Sequence, residues 1–378
     1  MIPLSVPNLS GNEWQYIKDC LDTNWVSSVG AYVNKFENIT TEYTKAKYAI
    51  ATSNGTSAIQ IALILAGVKQ NELVIAPNIT FVASINAIRY MGARPILIDV
   101  DEDTWQMDLD LLETFLLENT TVEKDTCVNK KTNQVVRAIM PVHVLGNMCD
   151  MDKLLLLANK YSLKIVEDST EALGSYYKGK HAGTFGLLGT LSYNGNKLIT
   201  TGGGGMILTD NEELAKKAKH LTTQAKAKAD EYFHDEVGYN FRLVNILAAM
   251  GVAQMEQLPV FLNKKSEIAS YYDSKLSKIE GFFNQKVSKN VNPNLWLYTV
   301  KLPDTKKLLN YLKDKKIEAR PFWIPMNQLP ANDGDAFVNE SDISNKVYQS
   351  CISLPCSTNI TDAELEIVVS NIYKFYGI

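Results

Sequence analysis

Short runs of Val, Ile, Leu and Ala recur through the first two thirds of the chain. Between them lie segments whose apolar positions return every third or fourth residue. LVIAP at 73–77, PILIDV at 95–100 and MILT at 206–209 are apolar on nearly every position. A strand without a polar face belongs in a sheet covered on both sides. The same texture predicts strands at 48–52, 137–142, 164–167 and 189–193. Helices are predicted at 56–66, 83–91, 108–117 and 151–160, where the period lengthens. Strand and helix in alternation imply an α/β fold with a mostly parallel, seven-stranded sheet covered by helices.

The texture changes after about residue 240. Residues 245–275 carry a helical pattern long enough for one helix or two, with Pro259 expected to kink or break it. A strand in LWLYTVKLP, a helix in KKLLNYLKDKK, a loop rich in Pro and Trp, and a last helix from Asp362 follow. A length of 378 residues suggests two domains at about 150 residues each. The expected division is a large domain over 1–245 and a smaller α+β domain over 246–378 that includes the long connecting helix.

Composition narrows the function classes. Apolar residues make up 46% and charged residues 21%, too apolar for a disordered chain. The 38 Lys and Arg are outnumbered by 42 Asp and Glu, for a net charge of -4, so binding nucleic acid through a general basic field is not expected. The most apolar helical segment, 59–68, is interrupted by Gln60 and is half the ~20 residues of a membrane span. The opening MIPLSVPNLS lacks the basic head and long apolar stretch of a signal peptide. Five cysteines with no CxxC pair fit reduced thiols in a cytoplasmic protein better than disulfides or zinc.

Three segments carry candidate chemistry. TSNGTS at 52–57 leads from a strand into a helix. Gly55 allows close backbone approach, and Thr56 and Ser57 add hydroxyls to helix-start N–H groups that suit a phosphate. Alone, the segment reads more simply as a helix cap. Glu167 and Asp168 end an apolar strand at the sheet edge where α/β proteins bind ligands, and a helix-capping Asp is the plain alternative. SYNGNKLITTGGGG at 192–205 places Lys197 before four glycines and 29 residues after Asp168. A P-loop has its lysine after the glycines, and Gly183, Gly186 and Gly189 have the wrong spacing for a dinucleotide fingerprint. Taken singly, Lys197 is an ordinary solvated lysine. A phosphate cradle, a strand-end Asp and a loop lysine together meet the needs of pyridoxal phosphate. The lysine bonds its aldehyde, the acid keeps its ring nitrogen protonated, and the cradle anchors it.

The sequence resembles the DegT/StrS family of sugar aminotransferases, of fold type I, along nearly its whole length. The resemblance lies in NWVSSVGAYVNKFE, SNGTSAI, PNITFVASINAI, PVHVLGNMCDMD, IVEDSTEALGSYYKGKHAGTFG, SYNGNKLITTGGGGMILT and GYNFRLVNILAAMGVAQME. It implies that Lys197 is the cofactor lysine and proton carrier and that Asp168 faces the pyridine nitrogen. Phe81 stacks on the ring, while Gly55, Thr56, Ser57 and Ser192 hold the phosphate. Asn240 would reach the phosphate of a neighbouring subunit, making the protein a homodimer with shared sites. Arg242 has a less defined family position, with a structural salt bridge as its alternative. Glu171 stands where relatives commonly carry a Gln that bonds the ring oxygen. It is therefore expected to be protonated, held through water, or turned toward substrate. Relatives with His in place of the lysine dehydrate deoxysugars, so Lys197 favours transamination.

Within the family the chain is most like the subgroup making 4-amino sugars for bacillosamine or legionaminic acid. That resemblance implies amination at C4 of a UDP-linked 4-keto-6-deoxy-N-acetylglucosamine, with L-glutamate as donor. A GDP- or dTDP-linked keto-sugar, amination at C3, and a non-catalytic regulator that binds cofactor or sugar remain as alternatives. Trp25, Trp323 and Phe322 are candidates for an aromatic substrate wall, and core packing is the alternative for each. His181 is a candidate substrate contact. Neither it nor His143 has metal-ligand spacing, and no metal is expected.

Overall fold

The computed structural model describes residues 1–228 and 231–378. All seven predicted strands form, and they lie side by side. The order across the sheet is Tyr48–Thr52, Gly205–Thr209, Leu188–Ser192, Lys164–Asp168, Val135–Ile139, Leu73–Pro77 and Arg94–Ile98. Neighbours are parallel from Leu188–Ser192 onward and antiparallel at the Tyr48–Thr52 edge. The full sheet has ten strands among the described residues. The hairpin of Thr120–Glu123 and Thr126–Asn129 pairs beside Val135–Ile139. It is short and half-polar, so it lacks the apolar run that marks the other strands. Ala336–Val338 is the tenth strand. Sequence placed it in the C-terminal unit, yet it adds to the large sheet parallel to Arg94–Ile98. At the other end of the chain, Ile2 pairs with Ile317. The two units thus exchange short segments.

Two apolar cores sandwich the large sheet. One centres on the helix Gly55–Leu65, which buries Ala58, Ile61 and Ala62 against Val74, Leu97 and Val166. The other packs Leu112, Phe115, Leu154 and Leu157 against Ile75, Ile139 and Ile165. A four-stranded sheet of Phe283–Asn284, Tyr298–Lys301, Cys351–Leu354 and Arg320–Pro321 builds the smaller unit with the helix Asp362–Tyr376.

The expected break at Pro259 is absent: Asn245–Leu276 is one helix of 32 residues. An interior proline costs roughly 3 kcal/mol. The helix is held from both sides of it, by Ala248, Val252, Met255 and Leu258 in one core and by Ile268, Tyr272 and Leu276 in another.

Candidate active site

The C-terminal ends of the central strands open into a cavity of about 560 Å³ shared with the smaller unit. Gly55, Thr56, Phe81, Asp168, Glu171, Ser192, Lys197 and Trp323 all line it. The segments that sequence singled out, far apart along the chain, therefore converge.

Each is placed by local structure. Asn54 caps the helix Gly55–Leu65, its side chain accepting from the Ser57 N–H at 2.8 Å. The N–H groups of the first turn have no intrahelical partners and suit an anion. Ser57 itself is buried behind this turn and does not line the cavity. At the end of the glycine run the backbone comes close to the neighbouring strand end: a Cβ on Gly205 would lie 2.4 Å from the Asn54 carbonyl oxygen. Phe81 precedes the helix Val82–Tyr90 and is 55% exposed, which leaves its ring face available inside the cavity.

Asp168 ends its strand with its side chain 1% exposed. Its Oδ2 accepts from the Ser84 hydroxyl at 2.6 Å, and its Oδ1 accepts from the Thr170 N–H at 3.1 Å. Ser84 in turn lies 2.7 Å from the Thr80 hydroxyl. Both serve to aim the carboxylate, and both sit in the ITFVAS segment that was read only for its phenylalanine.

Lys197 Nζ lies 3.7 Å from Glu171 Oε1 and 3.8 Å from the centre of the Trp296 ring. Burial pushes the lysine's pKa down, against the pull of Glu171 and Asp168. Burial also pushes Glu171 up to about 7, although Lys197 and the Leu145 N–H act the other way. The Leu145 N–H donates to Glu171 Oε2 at 2.9 Å. Low dielectric thus pushes both partners toward their neutral forms. Trp296 was not foreseen, because its position beside Lys197 is purely tertiary. Its backbone carbonyl accepts from the buried Lys265 Nζ at 2.7 Å, and its indole N–H donates to the Asn196 carbonyl at 2.7 Å.

Besides Ser57, four candidates fall outside the cavity. His181 is 1% exposed. Its Nδ1 donates to the Ala182 carbonyl, and its Nε2 accepts from the Gly174 N–H at 2.8 Å. Burial pushes its pKa down to about 4, so it is a neutral structural histidine rather than a substrate contact. Arg242 is buried in an ion pair with Glu37 and also donates to the Ala51 carbonyl, the structural salt bridge that was its alternative. Trp25 is 55% exposed away from the cavity. Asn240 is exposed and absent from the lining of this chain's own cavity. Phe322 does line the cavity, packed beside Trp323.

The Glu171–Lys197 geometry has a measurable consequence. Glu171 holds its proton to about pH 7 in the folded chain and to the ordinary 4.5 when unfolded. The folded state therefore binds the extra proton between those values. Stability from this group is complete below the lower pKa and declines as pH rises through the upper one. Between pH 5 and 8, cofactor-free protein should lose about 2 kcal/mol more stability than its Glu171→Gln variant. Urea unfolding at a series of pH values measures the difference; parallel curves for the two proteins would place Glu171 among ordinary ionised carboxylates.

The donor set fits pyridoxal phosphate group by group. There is an amine for its aldehyde, a carboxylate held by neutral donors for its ring nitrogen, a flat aromatic face for its ring, and a helix start with Ser192 for its phosphate. A mostly parallel sheet with this site at its strand ends fits a pyridoxal phosphate-dependent enzyme. The chain belongs to the DegT/DnrJ/EryC1/StrS aminotransferase family, whose model matches residues 7–373. It is a pyridoxal phosphate-dependent sugar aminotransferase.

A GDP-perosamine synthase from Escherichia coli O157:H7 is 38% identical over 379 aligned positions, covering 100% of this chain and 99% of the relative. A UDP-4-amino-4,6-dideoxy-N-acetyl-beta-L-altrosamine transaminase from Campylobacter jejuni is 33% identical, covering 72% of this chain and 69% of the relative. Among solved structures, the aminotransferase TlmJ from Streptoalloteichus hindustanus superposes with a TM-score of 0.90 at 23% identity, covering 100% and 99% of the two chains. At that identity the likeness speaks for the fold. No helix among the described residues is long and apolar enough to cross a membrane.

Proposed function

We propose that this protein moves an amino group from L-glutamate to C4 of a GDP-linked 4-keto-6-deoxy sugar. The transfer chemistry rests on one observation: Lys197 and Asp168 meet in a single cavity with aromatic walls. The choice of GDP over UDP follows the full-length likeness to a GDP-perosamine synthase, against partial coverage for the UDP-sugar transaminase. The UDP-linked N-acetyl sugar, which the sequence motifs favoured, is the second reading.

Bound pyridoxal phosphate supplies an electron sink for the charge left when a proton departs from the amine-bearing carbon. The chain supplies the rest. Desolvation pushes the Lys197 amine toward its neutral form, and Glu171 at 3.7 Å is placed to take up the proton that Nζ gives up. The same Nζ is then the base that can move the proton of the reacting carbon. Asp168 supplies the negative charge that favours a protonated ring nitrogen. Trp296, Phe322 and Trp323 form an apolar wall suited to a deoxy sugar and a base. Arg320 is the second cation lining the cavity, paired with Glu318 and exposed. Anionic oxygens of either substrate can draw it from that pair. Asn240 faces outward, as a residue serving a partner's site in a homodimer would.

The test compares kcat/KM for GDP-, UDP- and dTDP-linked 4-keto sugars with L-glutamate as donor. The GDP sugar should lead by at least tenfold, about 1.4 kcal/mol of differential binding at the transition state. A UDP-linked N-acetyl sugar at the head of the series would move the assignment to the second reading. Absence of amination with every sugar would reject both.

A further inference from the structure

Glu167 and His143 lie beside the site without lining its cavity, and both are 0% exposed. Successive side chains of a strand point to opposite faces. Asp168 therefore faces the cavity while Glu167 faces away from it. The Glu167 carboxylate is fully engaged. Oε1 accepts from the N–H groups of Phe185 and Gly186 at 2.6 and 2.7 Å. Oε2 accepts from the Gly183 N–H at 2.8 Å and lies 3.0 Å from His143 Nε2. The other ring nitrogen, His143 Nδ1, is buried with no partner among the described residues. A protonated ring would bury a second N–H donor at Nδ1 without an acceptor, which is costly. A proton on Nε2 is donated to Glu167.

The pair reaches the active site through one turn. The His143 N–H donates to the Asp168 carbonyl at 3.1 Å, and the Asp168 N–H donates to the Pro141 carbonyl at 2.9 Å. Two residues after His143, Leu145 has φ of 59°. That left-handed conformation costs a leucine roughly 1–2 kcal/mol, so something must hold it. The conformation directs the Leu145 N–H onto Glu171. The far side of the clamp is as constrained, because a Cβ on Gly189 would lie 2.0 Å from the Gly183 oxygen.

We propose that His143 and Glu167 are a positioning pair, fixing the turn through which Asp168 and Glu171 are both held facing Lys197. Neither residue touches a reacting atom. Their hydrogen bond ties the 143–146 turn to the strand end and to the 183–186 loop. The inference rests on the reading of Asp168 and Glu171 as the carboxylates that face the cofactor.

His143→Leu removes the donor and keeps an apolar side chain of moderate size. His143→Gln offers an amide N–H near the place of Nε2. In the leucine variant, kcat should fall ~10–100-fold while KM for donor and acceptor stays within threefold. The pH at which the absorbance of the bound cofactor titrates should shift by at least half a unit. The glutamine variant should recover to within threefold of the parent. A leucine variant within twofold in kcat with an unmoved titration, or a glutamine variant as impaired as the leucine one, would overturn the pair.

Should the leucine variant fail to fold, the unmutated enzyme decides. With 15N-labelled histidine, His143 should show a slowly exchanging Nε2–H. Its resonance should move when pyridoxal phosphate is added to cofactor-free protein. A resonance indifferent to the cofactor would refute the coupling. Loss of the functional reading would look different: the unmutated enzyme would aminate no sugar, whatever the histidine resonance did.

Discussion

Lys197→Ala should yield a folded protein whose turnover is lower by at least ~10³-fold, roughly 4 kcal/mol of lost transition-state stabilisation. The fold survives because the lysine is a burden on it. Its ammonium is buried, and its pKa is pushed down by that burial. Its nearest acid, Glu171, is already driven toward the neutral form and does not depend on a cation. A truncated side chain leaves space beside the Trp296 ring, within a cavity that is open in any case. Activity is lost because no other amine can replace Nζ, since the other cation lining the cavity is a guanidinium, Arg320. Borohydride reduction of the cofactor-loaded parent, followed by peptide mapping, should find the label on Lys197; a label on any other lysine would end the assignment. The same variant tests the shared site. Mixed with an inactive Asn240→Ala protein under conditions of subunit exchange, it should regain activity, because one site of each hybrid dimer carries neither defect. No recovery after verified exchange would mean that Asn240 serves its own chain or none.

The strands were legible because several are short apolar runs without a polar face, the pattern of a sheet covered on both sides, bounded by turn residues and alternating with helical segments. Helices with a mixed surface were harder to read. Glu13–Asp22, Ala31–Thr44 and Glu212–Thr222 carry few apolar residues and were not anticipated. They are held by packing, as Val33 and Phe36 show by burying themselves against Tyr193 and Leu208 in a shared core. The site divided in the same way. Asp168 and Lys197 sit where strands end, so local pattern and chain order brought them into view. Ser84, Leu145 and Trp296 act through contacts that join distant segments, such as Leu145 to Glu171 across 26 residues and Trp296 to Asn196 across 100. No window of sequence contains such a pair. Arg242 and His181 have polar types that are often functional: Arg242 is answered by Glu37, 205 residues away, and His181 by backbone groups on both nitrogens. Partners of that kind become visible only in three dimensions.

Asp168→Asn should separate function from stability. The amide has the carboxylate's shape, and its oxygen can still accept from Ser84 or Thr170. What it lacks is charge. The carboxylate is 1% exposed and its hydrogen bonds come from a hydroxyl and a backbone N–H, both neutral. A buried carboxylate without a cation in contact is unfavourable in the absence of ligand. The variant's cofactor-free form should therefore unfold at a temperature equal to or above that of the parent. With cofactor the order changes, because a protonated ring nitrogen is the cation that this carboxylate lacks. Cofactor should raise the parent's melting temperature by more than the variant's. The variant should still bind it through the helix start, Ser192 and Lys197, while kcat drops at least ~100-fold, near 2.7 kcal/mol, because a neutral amide no longer favours the protonated ring. Thermal melts with and without pyridoxal phosphate, together with kcat at saturating substrate, measure both halves. A variant within twofold of the parent in kcat would remove Asp168 from the ring nitrogen. A cofactor-free variant several degrees less stable than the parent would show instead that the charge at this strand end serves the fold.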